Sequence, residues 1–172
     1  ILVKAPGCDV NQAAGCDVNL ANENGATPAL IAAEKGHTAA LYIDGETPAH
    51  IAAQQGQTAA LKILVKAGCD VNQARKDGVT PAHIAANNGQ TAALELLVKA
   101  GCDVNQAAKD GRTPTYIAAQ AGQTAALAVL VKAGCDVNRA EMNGATPAHL
   151  AANKGNTAVL ELLVKAGCDV NQ

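Results

Sequence analysis

A seven-residue phrase returns along this chain at a fixed interval. Thr47-Pro48-Ala49-His50-Ile51-Ala52-Ala53 is repeated as Thr80-Pro81-Ala82-His83-Ile84-Ala85-Ala86 and as Thr146-Pro147-Ala148-His149-Leu150-Ala151-Ala152. Looser copies are Thr113-Pro114-Thr115-Tyr116-Ile117-Ala118-Ala119 and Thr27-Pro28-Ala29-Leu30-Ile31-Ala32-Ala33. Pro48, Pro81, Pro114 and Pro147 are spaced 33 residues apart. A period of this length means stacked supersecondary units that touch only their neighbours, rather than one chain wrapped around one centre. Thr-Pro is itself a helix-start signal, because threonine can cap free amides and proline lacks the N–H that would have no partner at the first helical position.

One period, 47–79, reads as helix, loop, helix and projecting turn. The first helix opens at Thr47-Pro48, turns Ala49, Ile51, Ala52 and Ala53 inward, and ends at Gly56. Thr58 is expected to cap the second helix, whose Leu61, Leu64 and Val65 share one face at i, i+3 and i+4, with Ile63 broadening it. Lys66 suits the last turn, and Gly68 stops the helix. Cys69 to Val79 has turn composition, with Asp77-Gly78, like Asn143-Gly144, read as a tight-hairpin dipeptide. Helices this short are marginal alone, since isolated ones need about 12–15 residues. Each must bury its apolar stripe on the next unit, and the many alanines permit close approach.

Composition excludes several classes. The net charge of −2 gives no basic field for nucleic acid or anionic lipid. Two Tyr with no Phe or Trp leave almost no rings for base stacking. No apolar run approaches the roughly 20 residues that span a bilayer. The six cysteines do not read as a disulfide set. Cys69, Cys102, Cys135 and Cys168 recur once per period in Gly-Cys-Asp-Val-Asn. Equivalent residues in stacked helical layers lie about 8–10 Å apart, whereas a disulfide needs Cα atoms within about 7 Å. They are expected to be reduced, small and buried, in an intracellular, cytoplasmic setting. No Cys-x-x-Cys spacing supports zinc, and no metal or cofactor is expected.

The pattern resembles the ankyrin repeat, on Gly-x-Thr-Pro-Ala-His-Ile-Ala-Ala, then Gly-Gln-Thr-Ala-Ala-Leu, then Leu-Val-Lys-Ala-Gly-Cys-Asp-Val-Asn, almost continuously over 15–172. The resemblance implies an all-α, ankyrin-type helix-turn-helix solenoid with projecting β-hairpin-like turns and about five repeats. The expected division is partial material at 1–26, a truncated repeat at 27–46, full repeats at 47–79, 80–112 and 113–145, and a last repeat at 146–172. The family also implies that His50, His83 and His149 are structural, bonding the threonine hydroxyl and nearby backbone. Leu30 and Tyr116 stand in that slot elsewhere and cannot do so. Cys occupies a slot where Ala is usual. Ala follows Pro where Leu is usual, which should thin the core.

Both ends depart from the period. Pro28 precedes Pro48 by 20 residues rather than 33, and Gly7-Cys8-Asp9-Val10-Asn11 is followed closely by Gly15-Cys16-Asp17-Val18-Asn19. These breaks suggest missing backbone at 14/15 and 42/43. The chain starts at Ile1 without a leader pattern and is expected to be an excerpt of a longer one. At the other end, Leu160, Leu162, Leu163 and Val164 keep the apolar pattern where a terminal cap would be polar outside. Further repeats, another domain or a second chain should cover that end, and uncapped ends would permit end-to-end self-association.

Catalytic motifs are lacking. There is no serine, so serine hydrolase triads are excluded. No phosphate-binding Gly-x-x-x-x-Gly-Lys-Thr and no His-Glu-x-x-His occurs. A Cys–His pair is conceivable, but both residues recur at the same slot in several units, and a catalytic centre is singular. His37 is read as a loop residue. Lys66, Lys99, Lys132 and Lys165 form a ladder read as helix-end charges, offset by Asp70, Asp103, Asp136 and Asp169.

Comparison among the copies locates the variable slots. At the turn they are Arg75/Ala108/Glu141, Lys76/Lys109/Met142 and Val79/Arg112/Ala145. At the end of the first helix they are Gln54/Asn87/Gln120/Asn153 and Gln55/Asn88/Ala121/Lys154. Scaffold slots must repeat to stack, whereas contact slots are free to differ. The candidate protein-binding residues are therefore Arg75, Lys76, Val79, Asn88, Ala108, Lys109, Arg112, Tyr116, Ala121, Glu141, Met142 and Lys154. In an ankyrin-like stack they line the concave face, rich in residue types that interfaces favour. The expected function is a non-catalytic module binding a protein partner. The alternatives are a consensus-like designed scaffold without a natural ligand, and a regulatory appendage of a larger enzyme.

Overall fold

A computed structural model of the chain describes residues 45–171. The joins at 14/15 and 42/43, His37, and the expected segments 1–26 and 27–44 lie outside the described residues.

Eight helices occur among the described residues, and no strand. They form four antiparallel-type pairs: α1 (Pro48–Gln54) with α2 (Thr58–Lys66), α3 (Pro81–Asn87) with α4 (Thr91–Lys99), α5 (Pro114–Ala121) with α6 (Thr124–Lys132), and α7 (Pro147–Asn153) with α8 (Thr157–Lys165). First helices pack on first helices (α1–α3–α5–α7), and second helices on second helices (α2–α4–α6–α8). The result is two helical layers, with the turns that join successive pairs projecting from one edge.

The core lies between these layers. Leu61, Leu94, Leu97, Leu127, Leu130 and Leu163 are fully buried, against Ala52, Ala53, Ala85, Ala86, Ala118 and Ala119 from the first helices. Leucine fills space that alanine vacates, so short helices approach closely without voids. Ile63 does not broaden this face; it is 69% exposed and points to solvent. The cysteines are free, as the spacing argument requires, but only half-buried. Burial still pushes their thiols up, that of Cys102 to about 11.

Thr58 is not a cap. It is the first residue of α2, and Gln57 occupies the preceding position without a side-chain cap bond. The matching Gln90 and Gln123 turn away instead, each donating through Nε2 to the carbonyl at the end of the previous first helix, Gln54 and Asn87, at 3.2 Å.

The Gly-Cys-Asp-Val-Asn segment joins one unit to the next. Asp103 accepts the Asn105 N–H at 2.8 Å, an Asx turn that aims the asparagine amide outward. Asn105 Oδ1 then accepts the Asp136 N–H of the following unit at 2.7 Å. The same bond runs from Asp103 N to Asn72 and from Asp169 N to Asn138. Val71, Val104 and Val137 are buried beside these links.

Asp77-Gly78 is not the two-residue centre of its hairpin. The Gly78 N–H donates to the Arg75 carbonyl at 2.9 Å, so Lys76 and Asp77 are the central residues. Gly78 follows at φ 86°, a three-residue loop closed by Arg75 N–H to the Val79 carbonyl. Each hairpin leans on the next: Lys109 N–H donates to the Asp77 carbonyl at 3.0 Å, and Met142 N–H to that of Asp110 at 3.1 Å.

Candidate functional site

The repeated Thr-Pro-x-His phrase builds the wall on which the site stands. Thr47, Thr80, Thr113 and Thr146 are extended N-caps, and each is followed by proline at the first helical position. His50 Nδ1 faces the Thr47 amide N–H at 3.1 Å and its hydroxyl at 2.8 Å. Its Nε2 lies 3.0 Å from the Val79 carbonyl of the next hairpin. A carbonyl can only accept, so the proton sits on Nε2 and Nδ1 is the acceptor. His83 repeats this with Thr80 and the Arg112 carbonyl. Burial, the dominant cause, lowers the pKa of both rings, that of His50 to about 4. Both nitrogens of each ring are committed to packing. Tyr116 keeps only the backbone bond, its N–H donating to Thr113 Oγ1 at 3.2 Å.

Two hairpins flank an open groove of about 320 Å³. Its lining comprises Glu46, Gln54, Arg75, Val79, His83, Ile84, Asn87, Asn88, Ala108, Asp110, Arg112 and Ile117. The floor is apolar and the rim carries amides. The charges are paired within the protein. Arg75 donates to Asp77 at 2.6 Å and lies 3.6 Å from Glu46. Arg112 Nε donates to Asp110 Oδ2 at 2.6 Å. These partners hold the Asp77 and Asp110 carboxyls below the usual carboxylate range. Glu46 is raised instead, because burial outweighs the pull of Arg75 at that longer separation.

Of the candidate contact residues, the groove gathers Arg75, Val79, Asn88, Ala108 and Arg112. Lys76, Lys109, Ala121, Met142 and Lys154 are exposed elsewhere on the surface, Met142 at 75%. Lys154 Nζ donates to the Gln120 carbonyl at 3.0 Å. Glu141 folds back to accept the Asn143 N–H at 2.9 Å. Tyr116, at 6% exposure, is packed inside the stack, and Ala108 is buried in the groove floor. Tyr116 is the odd member of its column, but that column is the histidine slot, which faces the neighbouring unit.

Gln54 and Asn87 line the rim and belong to a variable column outside the candidate set. Glu46 carries a similar signal: it stands 33 residues before Val79, in the column Val79/Arg112/Ala145. Ile84, Ile117 and Asp110 have none, because their columns scarcely vary. Among the described residues no group of His, Cys, Asp and Glu could hold a metal ion, and no helix is long and apolar enough to cross a membrane.

The family described as Ankyrin repeats (3 copies) matches residues 40–108 and 100–172. A comparison with curated proteins gives no match.

Proposed function

The chain belongs to the ankyrin-repeat family, and on that basis we propose that it is a non-catalytic module that binds a protein partner in the groove between hairpins and first helices. Ankyrin repeats are generally protein–protein interaction modules. The observation that carries the finer reading is a division of labour among residues. The slots that repeat unchanged are consumed in bonds between units: His50 and His83, Asn72 and Asn105, Gln90 and Gln123. Slots that vary, including Gln54, Arg75, Val79, Asn88 and Arg112, converge on one groove.

The groove's chemistry narrows the partner. With Arg75 and Arg112 already paired to carboxylates, an acidic ligand would have to displace them at a cost. Apolar Ile84 and Ile117 below the amides of Gln54, Asn87 and Asn88 suit an extended, uncharged segment that offers its backbone and a small apolar side chain.

The test is affinity capture from cells of origin with the chain and with a Q54K/N87K/N88K variant. These rim side chains are exposed, so the fold should survive. A specific partner should be lost by the rim variant and kept by a K66Q/K99Q/K132Q control on the second helices. Equal recovery with both variants would remove the groove from the interface.

A further inference from the structure

The described stack exposes four large hydrophobic side chains, and three of them sit on its two outermost pairs: Ile63 at 69%, Val164 at 50% and Val170 at 67%. The slots they occupy explain their exposure. Val170 corresponds to Val71, Val104 and Val137, which are 5%, 8% and 7% exposed where another pair comes after them. Ile63 corresponds to Leu96, Val129 and Leu162, which pack half-buried on the core where another pair precedes.

Polar groups obey the same rule. His50 and His83 are buried, their Nε2 protons spent on the next hairpin's carbonyl, whereas His149 bonds Thr146 and is otherwise exposed. Ala152 is exposed where Ala53, Ala86 and Ala119 are at 0%. The two outer faces are therefore the two halves of an interface that the chain forms three times internally.

We propose that the face of His149, Val164 and Val170 takes the Ile63 face of a second copy of this chain, continuing the stack head to tail. The choice of occupant rests on continuity with the internal interface. Such a face needs an apolar side chain in the Ile63 slot, a carbonyl for His149 Nε2 and a backbone N–H for the Asn171 amide, and a unit of this sequence presents them at the required spacing. The contact is heterologous, so it does not close on itself and propagates with concentration. It lies apart from the groove and does not depend on the groove reading.

The test is sedimentation velocity on the 172-residue chain from micromolar to near-millimolar concentration. The average mass should rise with concentration. I63E alone, and V164E/V170E alone, should each hold the chain monomeric. Mixed, they should form a 1:1 complex and no larger species, because each retains the half the other lacks. These side chains are exposed, so circular dichroism should be unchanged; should a glutamate variant fail to fold, I63Q and V164Q/V170Q make the same comparison. A wild-type mass that stays monomeric overturns the proposal. So does self-association that survives in I63E, which would mean that like faces pair with like.

Discussion

His83 Nε2 donates to the Arg112 carbonyl at 3.0 Å across 29 residues of sequence, joining the start of one repeat to the hairpin of the next. His50 makes the same bond to Val79. Each requires a neutral ring with its proton on Nε2, since a proton on Nδ1 would face the threonine N–H.

Acid should loosen the stack through these two rings. Burial depresses their folded pKa values below the unfolded value of about 6.5, that of His50 to about 4. Between those limits the unfolded chain binds more protons than the folded one, so stability falls as pH drops from about 6.5 towards 4. The His50 shift corresponds to roughly 3 kcal/mol. Asp77 and Asp110, held low by their arginines, lose their smaller, solvent-screened contribution only as pH falls further, through the carboxylate range. Urea titrations at stepped pH should show the first loss above the second. A flat profile from about pH 7 to 4.5 would contradict the neutral-ring assignment.

Leu97→Ala should cost about 2–5 kcal/mol, since Leu97 is fully buried between pairs. Ile63→Ala should stay within about 0.5 kcal/mol, as expected of a side chain turned to solvent. Denaturant midpoints for the two variants decide it, and comparable losses would contradict the contrast in burial.

Asn105→Ala removes the acceptor for the Asp136 N–H. The cost should be about 0.5–1.5 kcal/mol, with faster hydrogen exchange at the Asp136 amide. Asn105→Asp keeps an acceptor oxygen and should protect that amide better than alanine does. Unchanged exchange in the alanine variant would show that the link is immaterial.

Gly78 and Gly144 share a slot and a φ of 86°, but only Gly78 has another hairpin stacked against it. A Cβ at Gly78 would meet Lys109 N at 2.7 Å, whereas one at Gly144 meets nothing within 4 Å. Alanine at Gly144 should therefore cost only the backbone penalty of about 1–2 kcal/mol. Alanine at Gly78 should cost more, because the neighbouring hairpin backbone must move. Thermal melts showing the reverse order would refute the hairpin-on-hairpin contact.

Much of the fold is readable from side-chain chemistry repeated at a fixed interval. Thr-Pro marks each first helix to the residue, and Leu61 with Leu64 marks the buried face of the second. The pattern misleads where a residue's role depends on its neighbour in space. Ile63 looks like core by periodicity, yet its exposure depends on which side a layer lies. Thr58 looks like a cap, yet the preceding glutamine slot is used to reach the previous unit. Tyr116 stands out as a contact residue, yet its column is the one turned inward. About half of the groove is legible as column variation; the invariant remainder, Ile84 and Ile117, leaves no trace of that kind.

The repeating unit, its helix boundaries and the family are all written in the amino-acid order, because local propensity and apolar periodicity act within a single 33-residue period. Which of several identical-looking residues are spent on a neighbour is settled by stacking in three dimensions. His149 and Val170 have the same local sequence context as His83 and Val104, yet they are exposed while their counterparts are buried. Burial and hydrogen-bond partners across a repeat boundary belong to pairs of layers, and no single layer's sequence contains them.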